Sequence, residues 1–285
     1  MTILLVQALG KLQLRYQDTA VSTFPTRHAE ELLSYLLLHP QTPHSREKLI
    51  TLLWPDAPPD KGRARLSTTL WRLRCLFDTL GLPAATCLHA DREWVTFAPQ
   101  ISVQLDVTCF EKCLHDAATA ADPVAGWETA VSLYQGELFT GLYADWCLVE
   151  RERLARLWLH TLGQLMEHHL QQHNYTAVAA IGERILQEDP LREEVHRALI
   201  HCYEQMGDYA QAIKQFHICS DLLMSELGVL PLPETIILYS NIIAHHYQTL
   251  KPKSPAPAQK SALKNAFAEF LQAGERLHSL LAQAE

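Results

Sequence analysis

Asp60-Lys61-Gly62-Arg63-Ala64-Arg65-Leu66-Ser67-Thr68-Thr69-Leu70-Trp71-Arg72-Leu73-Arg74-Cys75-Leu76-Phe77 has the periodicity of a two-sided helix. At the helical repeat, Leu66, Leu70, Leu73 and Phe77 fall within about 60° of one another and form a buried seam. The opposite side carries Lys61, Arg65, Thr68, Trp71, Arg72 and Cys75, with Arg63 and Arg74 on the flanks. Five Lys/Arg and no acid occur from Lys61 to Arg74. Arginine can hydrogen-bond guanine edges with both arms of its fork, threonine can meet a base or a phosphate, and flanking arginines suit phosphates. The bland reading is a solvated helix with an ordinary charge run, which the lack of acids disfavours. Trp71 either packs on a neighbouring element or touches DNA.

The flanking sequence gives this helix its setting. Asp60 is the expected N-cap, and the helix runs to about Leu80 before Gly81-Leu82-Pro83 ends it. Upstream, Ser45 caps a helix bearing Leu49, Ile50, Leu53 and Trp54 that Pro55 closes. Before that, Ala29, Leu32, Leu33, Leu36 and Leu37 mark a helix from Thr26 to His39, stopped by Pro40. Ile3–Ala8 and the alternating Leu12, Leu14 and Tyr16 read as strands; Thr86–His89 and Trp94–Phe97 read as a hairpin around Ala90-Asp91-Arg92-Glu93. Strands, three helices and a hairpin make a winged helix-turn-helix, the hairpin being the wing and Arg92 a candidate minor-groove or phosphate contact.

The chain has 285 residues, 24 Lys+Arg against 32 Asp+Glu, and 48% hydrophobic residues. That length gives a prior of two domains with ample apolar content for packed cores. The formal charge of −8 is uneven. Residues 1–98 carry 11 basic and 9 acidic side chains, whereas 99–249 carry 8 and 20. Apolar runs such as Leu36–Leu38 fall far short of the roughly 20 residues a membrane helix needs. Met1-Thr2-Ile3-Leu4-Leu5 lacks the cationic stretch of a signal peptide. The seven cysteines show no C-x-x-C spacing, so a reducing cytoplasm is the expected setting and no membrane partner is expected.

From Asp106 the pattern is almost wholly helical, with helices near 107–121, 123–134, 147–173, 175–188, 191–206, 208–226 and 233–248. Tyr175 and Tyr209, each opening a helix after a polar turn, lie 34 residues apart, the tetratricopeptide period. Small residues at Ala179, Ala180, Ala210 and Ala212 fit the close crossings of such pairs. Lys251-Pro252-Lys253-Ser254-Pro255-Ala256-Pro257 reads as a linker. Leu263, Phe267, Phe270, Leu271, Leu277, Leu280 and Leu281 then form one stripe of a terminal helix. The expected fold is mainly α with a small β component. A winged helix-turn-helix domain (1–104) precedes an all-α tetratricopeptide-like domain (105–248), a linker (249–260) and a terminal amphipathic helix (261–285).

Arg63-Ala64-Arg65-Leu66 and Leu70-Trp71-Arg72-Leu73-Arg74, preceded by Leu53-Trp54-Pro55-Asp56, resemble the OmpR-type winged helix of the Streptomyces antibiotic regulatory proteins. Tyr134-Gln135-Gly136-Glu137-Leu138-Phe139-Thr140-Gly141-Leu142-Tyr143-Ala144-Asp145-Trp146 and Glu150-Arg151-Glu152-Arg153-Leu154 resemble the signature of the bacterial transcriptional activator domain. Asp189-Pro190-Leu191-Arg192-Glu193-Glu194, Gly207-Asp208-Tyr209 and Glu226-Leu227-Gly228-Val229 with Pro233-Glu234-Thr235 continue that likeness. The resemblance implies a transcription activator that binds promoter direct repeats as a side-by-side dimer and recruits RNA polymerase. Trp71 and Cys75 on the reading face, and a wing tip without glycine, depart from the family pattern.

Other chemistries find little support. Cys109 and Cys113 share a helix face near His115, a spacing that two metal-bound thiolates could use, but no second pair accompanies them. Adjacent histidines such as His168-His169 point to different faces. No G-x-S-x-G, G-x-G-x-x-G or phosphate-loop pattern occurs, so no enzyme activity, metal or cofactor is expected. The runner-up is a helical-repeat scaffold or ligand-sensing regulator with weak or no DNA binding.

Overall fold

The computed structural model describes residues 3–249, with side chains to residue 245. The expected linker beyond residue 249 and the expected terminal helix at 261–285 lie outside the described residues. The chain divides into two compact units, one ending at Ile185 and one starting at Leu186. The expected boundary at 104/105 lies inside the first.

The first unit opens with β1 (Ile3–Gln7), β2 (Gln13–Tyr16) and β3 (Thr19–Val21), whose inward residues Leu4, Val6, Leu14 and Tyr16 alternate with exposed ones. α1 (Arg27–Leu38) follows, its first turn held by Thr26 accepting from the Ala29 amide at 3.2 Å. β4 (His44–Ser45) leads straight into α2 (Arg46–Leu53), where Ser45 accepts from the Lys48 amide at 3.2 Å. α3 (Pro59–Thr79) buries Leu66, Leu70, Leu73 and Phe77 on one side, as the periodicity predicts. Its start differs from the reading above. The cap is Pro58, and Asp60 sits inside the first turn. Proline lacks the N–H that a first-turn residue leaves unpaired, so Pro59 takes the first helical position and displaces Asp60 inward. Gly62 lets α2 approach α3 closely: a Cβ there would collide with the Ile50 side chain.

A 3-10 turn at Ala84–Thr86 replaces the first residues of the expected hairpin, so β5 (Leu88–Ala90) pairs with β6 (Trp94–Phe97). β4 adds to the other edge of β6, giving a three-stranded wing sheet in the order β4-β6-β5. β7 (Ser102–Leu105) returns to lie parallel to β1, completing a four-stranded sheet in the order β3-β2-β1-β7. Local patterning reveals neither β4 nor β7, because the partners of both lie far along the chain.

The helical part continues with α4 (Asp106–Thr119), α5 (Val124–Leu133), α6 (Asp145–Gln171) and α7 (Tyr175–Glu188). The second unit holds α8 (Glu193–Gln205), α9 (Tyr209–Leu227) and α10 (Pro233–Thr249). Tyr175 and Tyr209 do open helices, and Asp208 caps α9 by accepting from the Gln211 amide at 3.1 Å. Of the small residues expected at crossings, Ala212 is fully buried, whereas Ala180 and Ala210 are exposed. The fold is mainly α with a small β component, a winged helix-turn-helix followed by tetratricopeptide-like helices.

Within the first unit, the 134–146 segment is tied to the turn between β1 and β2. The Gly10 amide donates to Glu137 O at 3.0 Å, the Phe139 amide to Ala8 O at 2.8 Å, and the Thr140 amide to Gly10 O at 2.8 Å. Arg151, only 8% exposed, holds the segment from behind, donating to the carbonyls of Leu138 (2.9 Å), Phe139 (3.2 Å) and Leu142 (2.9 Å). Its guanidinium also lies 3.3 Å from the Glu137 carboxylate. The Asp106 carboxylate accepts from the amides of Ala8, Leu9 and Val107 at 2.8 Å each. The same loop positions Trp146 edge-on to Tyr35 of α1, with ring centroids 5.2 Å apart.

Candidate nucleic-acid interface

With its seam and also Gly62, Thr69 and Leu76 buried, α3 turns its cationic side outward. Lys61, Arg63, Arg65, Thr68, Trp71 and Cys75 are exposed, and Arg72 and Arg74 are half-buried. Lys61, Arg65, Thr68 and Arg72 follow one another by three or four residues and make a continuous stripe. Among the described residues Lys61, Arg65, Arg72 and Arg74 make no ion pair and no side-chain hydrogen bond. Arg63 differs, lying 3.6 Å from the Glu47 carboxylate in an exposed pair that contributes little stability. The Thr68 hydroxyl donates to Ala64 O at 3.0 Å, which leaves its oxygen able to accept.

Trp71 does not pack into the core; it is 62% exposed. It stands between two open grooves. One, of about 830 Å³, runs from Trp71, Arg74 and Cys75 to His89 and Trp94 of the wing. The other, of about 640 Å³, is bounded by Trp71, Arg72, Val21 and Phe24. Trp94 is likewise 46% exposed, so a second indole faces outward beside the helix. In the sequence Trp94 is marked only as part of the expected wing.

The wing tip closes without glycine because an aspartate does glycine's work. Asp91 Oδ1 accepts from the amides of Glu93 (2.8 Å) and Trp94 (2.7 Å), an Asx turn that leaves Arg92 exposed at the apex. Those amide bonds, Trp94's first, hold the Asp91 carboxyl below the usual aspartate range. Arg46, the first residue of α2, reaches both the wing and α3. Its only signal in the sequence is its place directly after the Ser45 cap.

The structure therefore brings Lys61, Arg65, Thr68, Trp71 and Arg72 onto one helix surface. Arg63 and Arg74 lie on its flanks, and Arg92 sits on a separate projection. Cys109 and Cys113 lie on α4, and no cluster of three or more His, Cys, Asp or Glu residues able to hold a metal ion occurs among the described residues. Among the same residues no helix is long and apolar enough to cross a membrane.

Residues 105–243 match the bacterial transcriptional activator domain family. The chain is 25% identical to the regulatory protein AfsR of Streptomyces griseus over 234 residues, covering 79% of this chain and 23% of that protein. It is 26% identical to the transcriptional regulatory protein EmbR of Mycobacterium tuberculosis over 268 residues, covering 90% of this chain and 66% of that one. A solved structure of the same EmbR, described as a complex with a low-affinity phosphopeptide, superposes with a TM-score of 0.65 at 22% identity. That match covers 97% of this chain and 72% of the solved one. By name AfsR is a regulatory protein and EmbR a transcriptional regulatory protein, and the chain spans under a quarter of AfsR and about two-thirds of EmbR. The structural match shows the fold, and the family match gives residues 105–243 the pattern of a bacterial transcriptional activator domain. Along most of its length the chain is similar to AfsR and EmbR, and its residues 105–243 to the bacterial transcriptional activator domain.

Proposed function

We propose that this chain is a sequence-specific DNA-binding transcriptional activator. The observation that carries the reading is the outward face of α3, whose cationic side chains Lys61, Arg65 and Arg72 are left without ion-pair partners within the described fold. Such a face suits the major groove, where Lys61, Arg65, Thr68 and Arg72 meet base edges and Trp71 meets a thymine methyl or a sugar. Arg63 and Arg74 then engage phosphates, and Arg92 on the wing reaches the adjacent backbone or minor groove. The helices from Asp106 onward, acidic overall, serve as the surface that engages RNA polymerase. A homodimer on direct repeats supplies the affinity that a mildly basic domain lacks alone. The reading places the protein in the cytoplasm on the nucleoid, with neither a cofactor nor an enzymatic reaction.

Selection of duplexes from a random-sequence library by the full chain tests this. The expected result is enrichment of a tandemly repeated half-site and a mobility shift with that duplex. No enrichment over repeated rounds overturns the reading and favours a helical scaffold or ligand sensor instead.

A further inference from the structure

We infer that Arg46 is a positioning residue that locks the wing to α3 and so sets where Arg92 stands relative to the reading face. The inference rests on the DNA-binding reading above. The residues on either side of Arg92 are both held by Arg46. Its guanidinium Nε donates to Asp91 O at 2.9 Å, and its backbone amide donates to Glu93 O at 2.8 Å. The other end of the guanidinium turns to α3, where Nη1 donates to the Ser67 hydroxyl at 3.3 Å. Ser67 is free to accept because its own proton goes to Arg63 O at 2.9 Å.

The surroundings make Arg46 a fixed post. It is the first residue of α2, directly after β4, and β4 is hydrogen-bonded into the wing through His44↔Val95 and Ser45↔Trp94. Beyond that pairing the tip is closed internally, by its Asx turn and by the Asp91 amide donating to Trp94 O at 3.0 Å, and neither ties it to α3. A two-residue β4 is too short to fix the tilt of the tip by itself, and the planar fork of an arginine spans two acceptors where a lysine ammonium acts as a point charge. Ser67 lies one turn beyond Arg63, between that flank and Thr68, so a shift of the tip would be felt at the DNA-facing side of α3. Binding through both elements needs a preset separation between them; without it, the ordering of the wing is charged against affinity.

The test uses the full chain in two measurements. The first needs no DNA: amide hydrogen exchange over residues 88–97. Arg46→Ala and Arg46→Lys should each raise exchange at Glu93 and Trp94 about two- to tenfold, the loosening expected from loss of a net hydrogen bond. The second is a double-variant cycle on the duplex enriched by the wild-type chain. Arg92→Ala should cost roughly tenfold in affinity in the wild-type background, the lower end for a charge-assisted contact. In the Arg46→Lys background it should cost less than about twofold, because the charge is kept and the bridge is gone. Unchanged exchange overturns the inference whatever DNA does. A full Arg92→Ala loss in Arg46→Lys, or no loss in the wild type, also overturns it, leaving Arg46 at most an electrostatic contact. A wild-type chain that enriches no duplex refutes the DNA-binding reading separately, and the exchange result then decides the bridge alone.

Discussion

Arg72 and Arg74 are two residues apart on α3, yet the proposed reading gives them different jobs by position. Arg72 lies on the stripe with Arg65 and Thr68, whereas Arg74 faces the groove toward the wing. Arg72→Ala should cost on the order of 1–3 kcal/mol on the selected duplex and narrow the gap to random DNA. Arg74→Ala should weaken both duplexes alike, and titration of each variant against both DNAs separates the roles. Equal losses for Arg72→Ala would place it among the phosphate contacts. His196, in α8, carries a second residue-scale prediction. It is 1% exposed, with Nε2 placed 2.9 Å from Pro190 O and Nδ1 2.6 Å from the Gln215 side-chain nitrogen. The neutral ring satisfies both, donating from Nε2 and accepting at Nδ1; a proton on Nδ1 would face the Gln215 NH₂ group. Burial first of all pushes its pKa below the ordinary 6.5, outweighing the Pro190 carbonyl and the neighbouring glutamates. The unfolded chain then binds the proton more readily, so His196's stabilising contribution is complete above about pH 6.5 and falls as pH drops below it. The melting temperature should decline from pH 7.5 to 5.5, and His196→Gln should lower the starting value and flatten that decline.

At the level of elements, what could be read from the sequence followed from how local the cause was. The α3 seam was legible because Leu66, Leu70, Leu73 and Phe77 repeat within one helix and bury themselves on whatever packs there. The cap of α3 is Pro58 and not the expected Asp60, because Asp60 has the chemistry of a cap while Pro58 and Pro59 have the backbone of one, and the backbone wins. β7 was missed because what makes Ser102–Leu105 a strand is β1, almost a whole domain earlier in the chain. The stripe on α3 was named correctly as a surface, but the pin between wing and helix, Arg46, was invisible since no periodicity marks it. Gly62 was equally silent, and its packing gives the element-scale prediction. On an open helix Gly→Ala gains about 1 kcal/mol. Here the new methyl meets Ile50, so Gly62→Ala should instead destabilise by about 1–3 kcal/mol in a denaturant titration. The double variant with Ile50→Ala should cost less than the two separate losses added together. A stabilising Gly62→Ala would mean that α2 and α3 are not so closely apposed.

At the scale of the molecule, the signature read as an activator motif turns out to hold structure together. Leu138 and Phe139 pair with the strand turn at Ala8–Gly10, Arg151 collects the loop's carbonyls, and Asp106 caps the amides of Ala8 and Leu9. The winged helix and the helices up to Ile185 therefore share hydrogen bonds that a cut at residue 104 would sever. A fragment ending at 104 leaves the Ala8 and Leu9 amides without their carboxylate, and each unsatisfied buried group costs about 1–3 kcal/mol. Residues 1–104 should melt well below residues 1–185 by circular dichroism; equal melting would make the winged helix self-sufficient. Under the proposed reading, these hydrogen bonds would carry the helices up to Ile185 to a set place once α3 is seated on DNA. All of this depends on α3 engaging nucleic acid through its unpaired cations. The dependence of affinity on salt for the selected duplex tests that most directly. If about five phosphates are neutralised per protomer, log K falls with log[salt] at a slope of about −4 to −5 per protomer. A slope near zero between dilute and physiological salt would contradict it.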